Sequence, residues 1–201
     1  MKLYYAPGAC SLSTHIILRE AGYKFDLEKV DLAARTTAGG DDFAKVNPKG
    51  YVPVLELDDG QLLTENIAID EYLADQKQAS ALAPKAGTFE RYRLIEWLAF
   101  ISTEVHKPFG PLFKPDTPDA TKQAQKDQLA KRFDYVAEQL KGKQYLMGEF
   151  TVADAYLFTV LRWTGKMQID MSRWPVLQTY MTRVLARPQV QAALKAEGLV
   201  K

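Results

Sequence analysis

The sequence predicts a small α/β domain followed by an all-helical domain. Up to about residue 80, short β-like runs are interspersed with helical patterns. The composition changes near Lys77, where "KQASALAPKAG" has the polar character of a linker and the helix breakers Pro84 and Gly87. Beyond this stretch the apolar residues keep helical spacing. We therefore expect the α/β domain over residues 1–80 and the helical domain over residues 87–201.

The α/β part is predicted to have the order β-α-β, a short helix, then β-β-α. In "KFDLEKV" the residues alternate, which places Phe25 and Leu27 on one face of a strand. Asp59-Gly60 between two apolar runs is a strong hairpin signal. The stretch "ARTTAGGDDFAKVNPKG" is expected to be a loop that carries one short helix. The predicted strands are 2–5, 24–30 and the two arms of a hairpin within 52–65, and the predicted helices are 11–21, 41–46 and 65–75.

The helical part contains two apolar stripes with the spacing i, i+4, i+7 and i+11, which places each stripe on one helix face. The stretch "TVADAYLFTVLRW" opens with Thr151 and Asp154 in the positions of a capping box and is apolar on nearly every side. It is therefore the predicted core helix of this domain. Two more helices are expected on either side of Arg187-Pro188. The stripes are Leu94, Leu98, Ile101 and Val105, and Leu129, Phe133, Val136 and Leu140.

The composition argues against several classes of function. A formal net charge of +1 gives no indication of nucleic-acid binding or of an anionic membrane surface. We find no signal-peptide pattern and no apolar run of the roughly 18 residues that a membrane helix needs. One cysteine cannot form an internal disulfide, which suits a reducing compartment, and two histidines with one cysteine make a zinc site improbable. We expect a cytoplasmic protein that uses no metal.

The single cysteine, Cys10, stands at the start of the first predicted helix. Unpaired N–H groups and the positive end of the helix dipole favour a thiolate there, so this position predicts a thiol pKa below about 8.5. The alternative is a buried, inert cysteine that serves as a small hydrophobic residue. The run "CSLS" is a Cys-x-x-Ser pattern, which resembles the active sites of single-thiol glutaredoxins. A lone thiolate needs an external thiol partner, and glutathione is the abundant one in the cytosol.

Two further motifs follow in the same domain. Val52-Pro53 precedes a predicted strand, where proline either supplies a turn in the cis form or is an ordinary trans residue at a strand start. In thioredoxin-like folds, which this motif resembles, such a cis-proline lies beside the thiol. Glu65-Asn66 opens the next helix. Both residues are common helix caps, but they would also suit an anion site at the helix N-terminus, with Glu65 facing a ligand ammonium group.

Together these motifs resemble those of the glutathione transferases, and among them the bacterial beta class. The matching stretches are "APGACSLS", "NPKGYVPVLELDDGQLLTEN", "STEVHK" and "TVADAYLF", and the resemblance covers essentially the whole chain. It implies a thioredoxin-like N-terminal domain followed by an all-helical C-terminal domain. It also implies a homodimer that conjugates glutathione, as a co-substrate, to small hydrophobic electrophiles or exchanges it with disulfides.

The resemblance implies a role for each matching residue of the N-terminal domain. Cys10 would contact the glutathione sulfur and form a mixed disulfide with it. Val52 would pair, backbone to backbone, with the cysteinyl part of the tripeptide. Glu65 and Asn66 would hold its γ-glutamyl end. Arg35 stands where relatives often carry lysine, and its guanidinium is expected to hold the glycyl carboxylate.

The stretch "STEVHK" would complete the glutathione site. Thr103, His106 and Lys107 are spaced i, i+3 and i+4, which places them on one helix face. In the family this face approaches the thiol, and the neighbouring subunit supplies Thr103 and Glu104. Without the resemblance, a solvated surface imidazole is the simpler interpretation of His106. Ala99 occupies a position where relatives can offer a polar side chain to glutathione, so we expect that contact to be missing.

Several alternatives remain open from the sequence. Other classes of the superfamily activate glutathione with a tyrosine or a serine near the N-terminus, which makes Tyr4, Tyr5 and Ser11 rivals of Cys10. The chain could instead be a glutathione-dependent reductase, peroxidase or dehalogenase in which Cys10 performs covalent chemistry, or a ligand-binding protein without activity. The electrophile pocket is expected to be apolar and aromatic, with Phe109, Phe113, Tyr156 and Trp163 as candidate lining residues.

Overall fold

The computed structural model describes residues 1–77 and 81–200, so residues 78–80 of the predicted linker lie outside the described residues. The chain divides into two compact units. The first unit comprises Met1–Ala83 together with Arg187–Lys201, and the second comprises Pro84–Ala186.

The helices and strands follow the predicted order, an α/β arrangement and then helices. In the first unit they are β1 (Lys2–Tyr5), α1 (Ser11–Glu20), β2 (Asp26–Asp31), β3 (Thr36–Thr37), α2 (Phe43–Val46), β4 (Val54–Glu56), β5 (Leu62–Thr64), α3 (Asn66–Gln76) and, at the end of the chain, α10 (Pro188–Ala196). In the second unit they are α4 (Phe89–Phe100), a π-helical segment (Ile101–His106), α5 (Lys107–Phe113), α6 (Asp119–Gln139), α7 (Val152–Leu161), α8 (Trp163–Lys166) and α9 (Pro175–Leu185).

The first unit is organised around one mixed sheet with the strand order β3-β2-β1-β4-β5. The central strand, β1, runs parallel to β2 and antiparallel to β4, and β4 pairs antiparallel with β5. Leu3 in β1 lies opposite Leu27 and Leu55 and is fully buried. The turn between β4 and β5 has Gly60 at φ 83°, a left-handed conformation that glycine adopts without steric cost. The predicted hairpin is confirmed.

Two details of the first unit differ from the prediction. Residues 36–37 form the edge strand β3 within a stretch that was expected to be a loop, because two threonines among polar residues give no apolar alternation to detect. In β2 the buried residue is Val30, which packs with Tyr4 and Phe43, whereas Leu27 is only half-buried. The prediction had placed the apolar face of this strand at Phe25 and Leu27.

The second unit is built from helices whose apolar stripes face inward. All eight residues of the two predicted stripes are buried, none of them more than 2% exposed, so the predicted helical spacing is confirmed. Burial of such side chains supplies most of the stability of an amphipathic helix. Among the described helices, none combines the length and the apolar character that spanning a membrane requires.

The π-helical segment between α4 and α5 is a feature that the sequence did not indicate. Its i→i+5 hydrogen bonds widen the helix, so the simple i, i+3, i+4 relation among Thr103, His106 and Lys107 no longer holds. Thr103 and Lys107 are exposed, whereas His106 is half-buried. Insertions of this kind are frequent at functional sites.

The core helix α7 confirms the prediction made from its N-terminal sequence. Every residue of this helix is buried, and Thr151 and Asp154 form the capping box. The Asp154 carboxylate also accepts hydrogen bonds from the backbone N–H of Leu146 at 3.0 Å and from the hydroxyl of Tyr180 at 3.1 Å. One buried carboxylate therefore joins the start of α7 to the preceding turn and to α9.

The last helix, α10, packs against α1 and is grouped with the first unit, whereas the predicted helical domain included it. Glu197, directly after α10, is buried. Its carboxylate accepts a hydrogen bond from the backbone N–H of Gly8 at 2.9 Å and lies 2.9 Å from Nδ1 of His15. These contacts attach the end of the chain to the loop that precedes Cys10.

We expect Asp154→Ala to lower the free energy of unfolding by about 3 kcal/mol or more, because it leaves several buried hydrogen-bond donors without an acceptor. Urea titration followed by circular dichroism measures this loss. Asp170→Ala is the control, since Asp170 is exposed and accepts local hydrogen bonds from Ser172. Equal losses in the two variants would contradict the role given to Asp154.

Candidate active site

Cys10 lies at the N-terminus of α1, as the sequence predicts. The chain leaves β1, turns through Gly8 at φ 71° and enters α1 with Cys10 as the N-cap residue. The side chain is half-buried, and its Sγ donates a hydrogen bond to the carbonyl oxygen of Val52 at 3.3 Å. The Val52-Pro53 peptide bond is cis, as one of the two interpretations of this motif required. The thiol and the backbone of the cis-proline loop are therefore in direct contact.

The electrostatic surroundings of Cys10 are opposite to the prediction. Burial has the largest effect and raises the pKa of the thiol to about 12, and the negative charges of Asp70 and Glu65 add to the rise. Hydrogen bonds from the backbone N–H groups of Cys10 and Ser11 act in the other direction but are weaker. The predicted pKa below about 8.5 is wrong for the unliganded protein. Its sulfur is a neutral thiol and acts as a weak hydrogen-bond donor.

The start of α3 contributes a second set of polar groups. Asn66 Nδ2 donates a hydrogen bond to the carbonyl oxygen of Cys10 at 3.1 Å. Glu65, directly before α3, has φ 73°, a conformation that is uncommon for a residue other than glycine and that often occurs at functional sites. Its Oε1 accepts hydrogen bonds from Nζ of Lys49 at 2.6 Å and from the hydroxyl of Tyr51 at 2.7 Å. These bonds hold the pKa of Glu65 below its usual range.

Lys49 and Tyr51 are part of this arrangement although the sequence did not single them out. Both stand in "NPKGYVP", next to Val52. The signal available was a basic residue and a phenol close to the proposed proline turn. No periodicity connects them to Glu65, because the pairing depends on how the loop before β4 folds against the start of α3.

Arg35 is exposed in the loop between β2 and β3, with φ 57°. Its backbone carbonyl accepts a hydrogen bond from the N–H of Phe43 at 2.9 Å, which fixes the backbone at the base of this loop. Among the described residues, no hydrogen bond or ion pair joins its guanidinium to Cys10, Val52 or Glu65. Its role as a ligand for the glycyl carboxylate stays a prediction.

The three rivals of Cys10 are buried, and Tyr4 and Ser11 are hydrogen-bonded to other residues. Tyr4 is buried and donates a hydrogen bond to a carboxylate oxygen of Glu56 at 2.8 Å. Tyr5 is 8% exposed, and burial raises its pKa. Ser11 is fully buried, and its Oγ accepts a hydrogen bond from the N–H of Ala6 at 3.2 Å. These contacts favour packing and turn-forming roles for the three residues.

His106 lies in the second unit at the end of the π-helical segment. Its Nδ1 is 2.6 Å from the hydroxyl of Tyr156, and its ring packs edge-on against Trp163 with the centroids 4.9 Å apart. Burial lowers the pKa of the imidazole to about 4, so the ring is neutral at physiological pH. A solvated surface imidazole is therefore the wrong interpretation of His106.

The other predicted residues of this segment make contacts within the second unit. Thr103 donates a hydrogen bond from its Oγ1 to the backbone carbonyl of Ala99 at 3.0 Å. Glu104 forms an ion pair with Arg132 at 2.6 Å. Lys107 is exposed. The predicted functions of Thr103, Glu104 and Lys107 stay predictions.

The candidate lining residues of the electrophile pocket form an aromatic cluster centred on Trp163. The rings of Phe109 and Phe113 pack edge-on against it, with centroid distances of 5.4 Å and 5.3 Å. Phe109, Tyr156 and Trp163 are buried, whereas Phe113 is 40% exposed. Phe113 is the most exposed of these four residues, and their role as the lining of an electrophile pocket stays a prediction.

Comparison with known proteins identifies the family. Residues 8–76 match the family description "Glutathione S-transferase, N-terminal domain", and residues 100–188 match "Glutathione S-transferase, C-terminal domain". The chain is 50% identical to Glutathione S-transferase GstA of Escherichia coli O157:H7, over 99% of this chain and 100% of that protein.

Two solved structures share the fold over the whole chain. The sphingomonad glutathione S-transferase complexed with glutathione is 49% identical, with a TM-score of 0.96 over 100% of both chains. The bacterial beta-class glutathione S-transferase of Sphingomonas chungbukensis is 52% identical, with a TM-score of 0.97 over 100% of both chains. The expected fold class, a thioredoxin-like domain followed by a helical domain, is thereby confirmed. The chain belongs to the glutathione S-transferase family, and within it to the bacterial beta class.

Proposed function

We propose that this protein conjugates glutathione to small hydrophobic electrophiles at a site built around Cys10. The observation that carries the proposal is the grouping of the Cys10 thiol, the Val52 backbone and the polar start of α3. A structure of a 49% identical sphingomonad relative was obtained in complex with glutathione, which supports the same co-substrate here. The proposed reaction requires no metal ion, and a cytoplasmic location is proposed because glutathione chemistry and a single free cysteine suit a reducing compartment.

Each part of glutathione has a candidate partner in the first unit. The γ-glutamyl end carries an ammonium and a carboxylate. The Glu65 carboxylate, held as an anion by Lys49 and Tyr51, suits the ammonium, and Asn66 at the first turn of α3 suits the carboxylate. The cysteinyl part would pair with the Val52 backbone. Arg35 would hold the glycyl carboxylate.

Cys10 has a specific task in this arrangement. In the unliganded protein its S–H group donates to the Val52 carbonyl. When the cysteinyl N–H of glutathione donates a hydrogen bond to the Val52 carbonyl in its place, the Cys10 S–H becomes free to donate to the glutathione sulfur. A hydrogen bond to a thiolate favours the charged form, so the glutathione thiol loses its proton to water more readily. The thiolate then attacks the electrophilic carbon, the carbon–sulfur bond forms, and the leaving group departs with its electron pair.

Thiol-disulfide exchange at Cys10 is proposed as a second, slower activity. A thiolate of Cys10 would attack oxidised glutathione, form a mixed disulfide and release one glutathione thiolate. A pKa of about 12 leaves few Cys10 sulfurs ionised near neutral pH, which makes this reaction slow in the unliganded protein. The same property argues against a reductase, peroxidase or dehalogenase in which Cys10 is the resting nucleophile.

The second unit would supply the electrophile pocket and the contacts between subunits. The exposed side of the aromatic cluster, at Phe113, suits an apolar substrate. Phe89 and Tyr92 on α4 are 67% and 62% exposed and lie three residues apart, an apolar surface that suits a second copy of the chain. We propose a homodimer in which Thr103 and Glu104 serve the neighbouring site. Lys107 and a neutral His106 are proposed glutathione-site residues, with His106 as a proton relay.

Glu65→Ala should weaken glutathione binding by about 1.5–3 kcal/mol, the usual range for a hydrogen bond to a charged group. Isothermal titration calorimetry measures the dissociation constant. Glu65→Gln keeps the shape and removes the charge, so it should show most of the loss. Glu138→Ala is the control, because Glu138 is an exposed residue of α6 that forms an ion pair with Lys141. An unchanged dissociation constant in both Glu65 variants would remove Glu65 from the site.

Comparison of Cys10→Ser with Cys10→Ala should separate the two activities. The wild-type protein should gain the mass of one glutathione after incubation with oxidised glutathione, faster at higher pH, and lose it with a reductant. Both variants should lose the adduct. Cys10→Ser should keep more conjugating activity than Cys10→Ala, because a hydroxyl still donates a hydrogen bond. Equal conjugating activity in the two variants, measured with a panel of electrophiles, would contradict the donor role.

The active species should be a dimer of about 45 kDa, twice the 22.6 kDa chain. Replacing both Phe89 and Tyr92 by aspartate should produce a monomer, measured by sedimentation velocity, and should lower conjugating activity. Leu185→Asp, which changes an exposed apolar residue of α9, is the control. A fully active monomer would refute the shared site.

A further inference from the structure

A fully buried carboxylate, Asp70, lies between α1 and α3 in the first unit. Its Oδ2 accepts a hydrogen bond from Ser13 Oγ at 2.8 Å, and its Oδ1 accepts one from Thr14 Oγ1 at 2.7 Å. Both hydroxyl residues are themselves fully buried. Within the described part of the chain, no ion pair includes Asp70. A carboxylate that is buried without a cation is costly, so its position calls for a physical explanation.

Asp70 is connected to the thiol through one intermediate residue. Asn66 stands one helical turn before Asp70 on α3, and its amide favours the charged form of the Asp70 carboxylate. The same amide donates to the backbone carbonyl of Cys10 at 3.1 Å, and the N–H of Ser13 donates to that carbonyl at 3.0 Å. Asp70 therefore acts on the first turn of α1 from two directions, through Asn66 and through the hydroxyls of Ser13 and Thr14.

The remaining charges near this contact are directed elsewhere or act weakly. On α1, His15 faces Glu197, and Glu20 pairs with Arg187 at 2.7 Å. On α3, the charge of Glu71 opposes ionisation of Asp70 but is the smallest of the influences on it. The strand β5, which also packs on α3, contains no ionisable residue.

The negative charge of Asp70 affects the pKa of the Cys10 thiol. Burial raises the pKa of Asp70 to about 7, against the hydrogen bonds from Thr14, Ser13 and Asn66 that favour the anion. Near and above neutral pH a large fraction of the molecules therefore carries this negative charge. After burial, it is the largest influence that disfavours the Cys10 thiolate.

We propose that Asp70 is a positioning residue of the thiol site, which fixes the first turn of α1 through Asn66, Ser13 and Thr14 and places a buried negative charge next to that turn. The proposal goes beyond the proposed conjugation, because it concerns the thiol in the unliganded protein. Asp70 does not touch the reacting atoms. Because its negative charge disfavours the thiolate, the Cys10 sulfur acts as a hydrogen-bond donor and is less reactive as a nucleophile.

The experiment uses the fact that Cys10 is the single cysteine, so thiol signals report on it alone. Asp70→Asn keeps the shape and removes the charge; its amide oxygen can accept from one of the two hydroxyls, and its NH2 group can donate to the other. At pH 9 the rate of alkylation by iodoacetamide, followed by mass spectrometry, should rise by about threefold to tenfold over the wild type, since one pKa unit corresponds to a tenfold change. Because Asp70 loses its charge as the pH falls through about 7, the ratio of the two rates should decrease when the pH is lowered from 9 to 6.5.

Two further variants make the result decisive. Thr14→Val removes a donor that favours the Asp70 anion, so it should raise the pKa of Asp70 and increase the alkylation rate near pH 7.5 by a smaller factor, which also tests the proposal if Asp70→Asn folds poorly. Asp154→Asn, which changes a buried carboxylate of the second unit, should leave the alkylation rate unchanged. An alkylation rate of Asp70→Asn that is raised by the same factor at every pH would show only a loosened helix and would overturn the proposal. No glutathione is present, so the outcome is independent of whether the protein conjugates it.

Discussion

The N-terminus of α1 is polar and buried at the same time, so its polar groups need hydrogen-bond partners from other parts of the first unit. A buried donor or acceptor left without a partner costs about 1–3 kcal/mol. Here the Cys10 carbonyl is satisfied by Asn66, the Cys10 thiol by the Val52 carbonyl, and the hydroxyls of Ser13 and Thr14 by Asp70. Because these partners come from α3 and from the loop before β4, the site and the packing of the first unit depend on the same hydrogen bonds.

Most of the fold could be predicted from local patterns. The stripes of α4 and α6, the capping box of α7 and the glycine turn of the hairpin are short-range signals, and each is confirmed by burial or by backbone conformation. The short strand β3 and the π-helical segment escaped prediction. An edge strand of two threonines shows no apolar alternation in the sequence. The apolar residues of the π-helical segment are spaced in the sequence as in an ordinary helix, so the sequence does not reveal the widened turn.

The sequence predicted where Cys10 lies but not the protonation states of Cys10 and His106. The helix N-terminus at Cys10 is visible in the sequence, so the sequence indicates the influence that favours a thiolate. Burial, which outweighs it, depends on residues far along the chain and is visible only in the fold. The same reason applies to His106, whose neutral state follows from packing against Tyr156 and Trp163. The sequence does carry a signal for the buried Asp70, because it is a charged residue next to Ile69 on an apolar helix face.

The attachment of α10 to the first unit has a consequence for the order in which the protein can assemble during synthesis. Gly8 and Glu197, which share a hydrogen bond, are separated by 189 positions in the chain. On the ribosome the N-terminal residues emerge first, and domains generally fold as they emerge. In this unit, however, the hydrogen bond between Gly8 and Glu197 cannot form until Glu197 has been translated. The part of the protein that is made first is thus completed last, after the second unit has had time to fold.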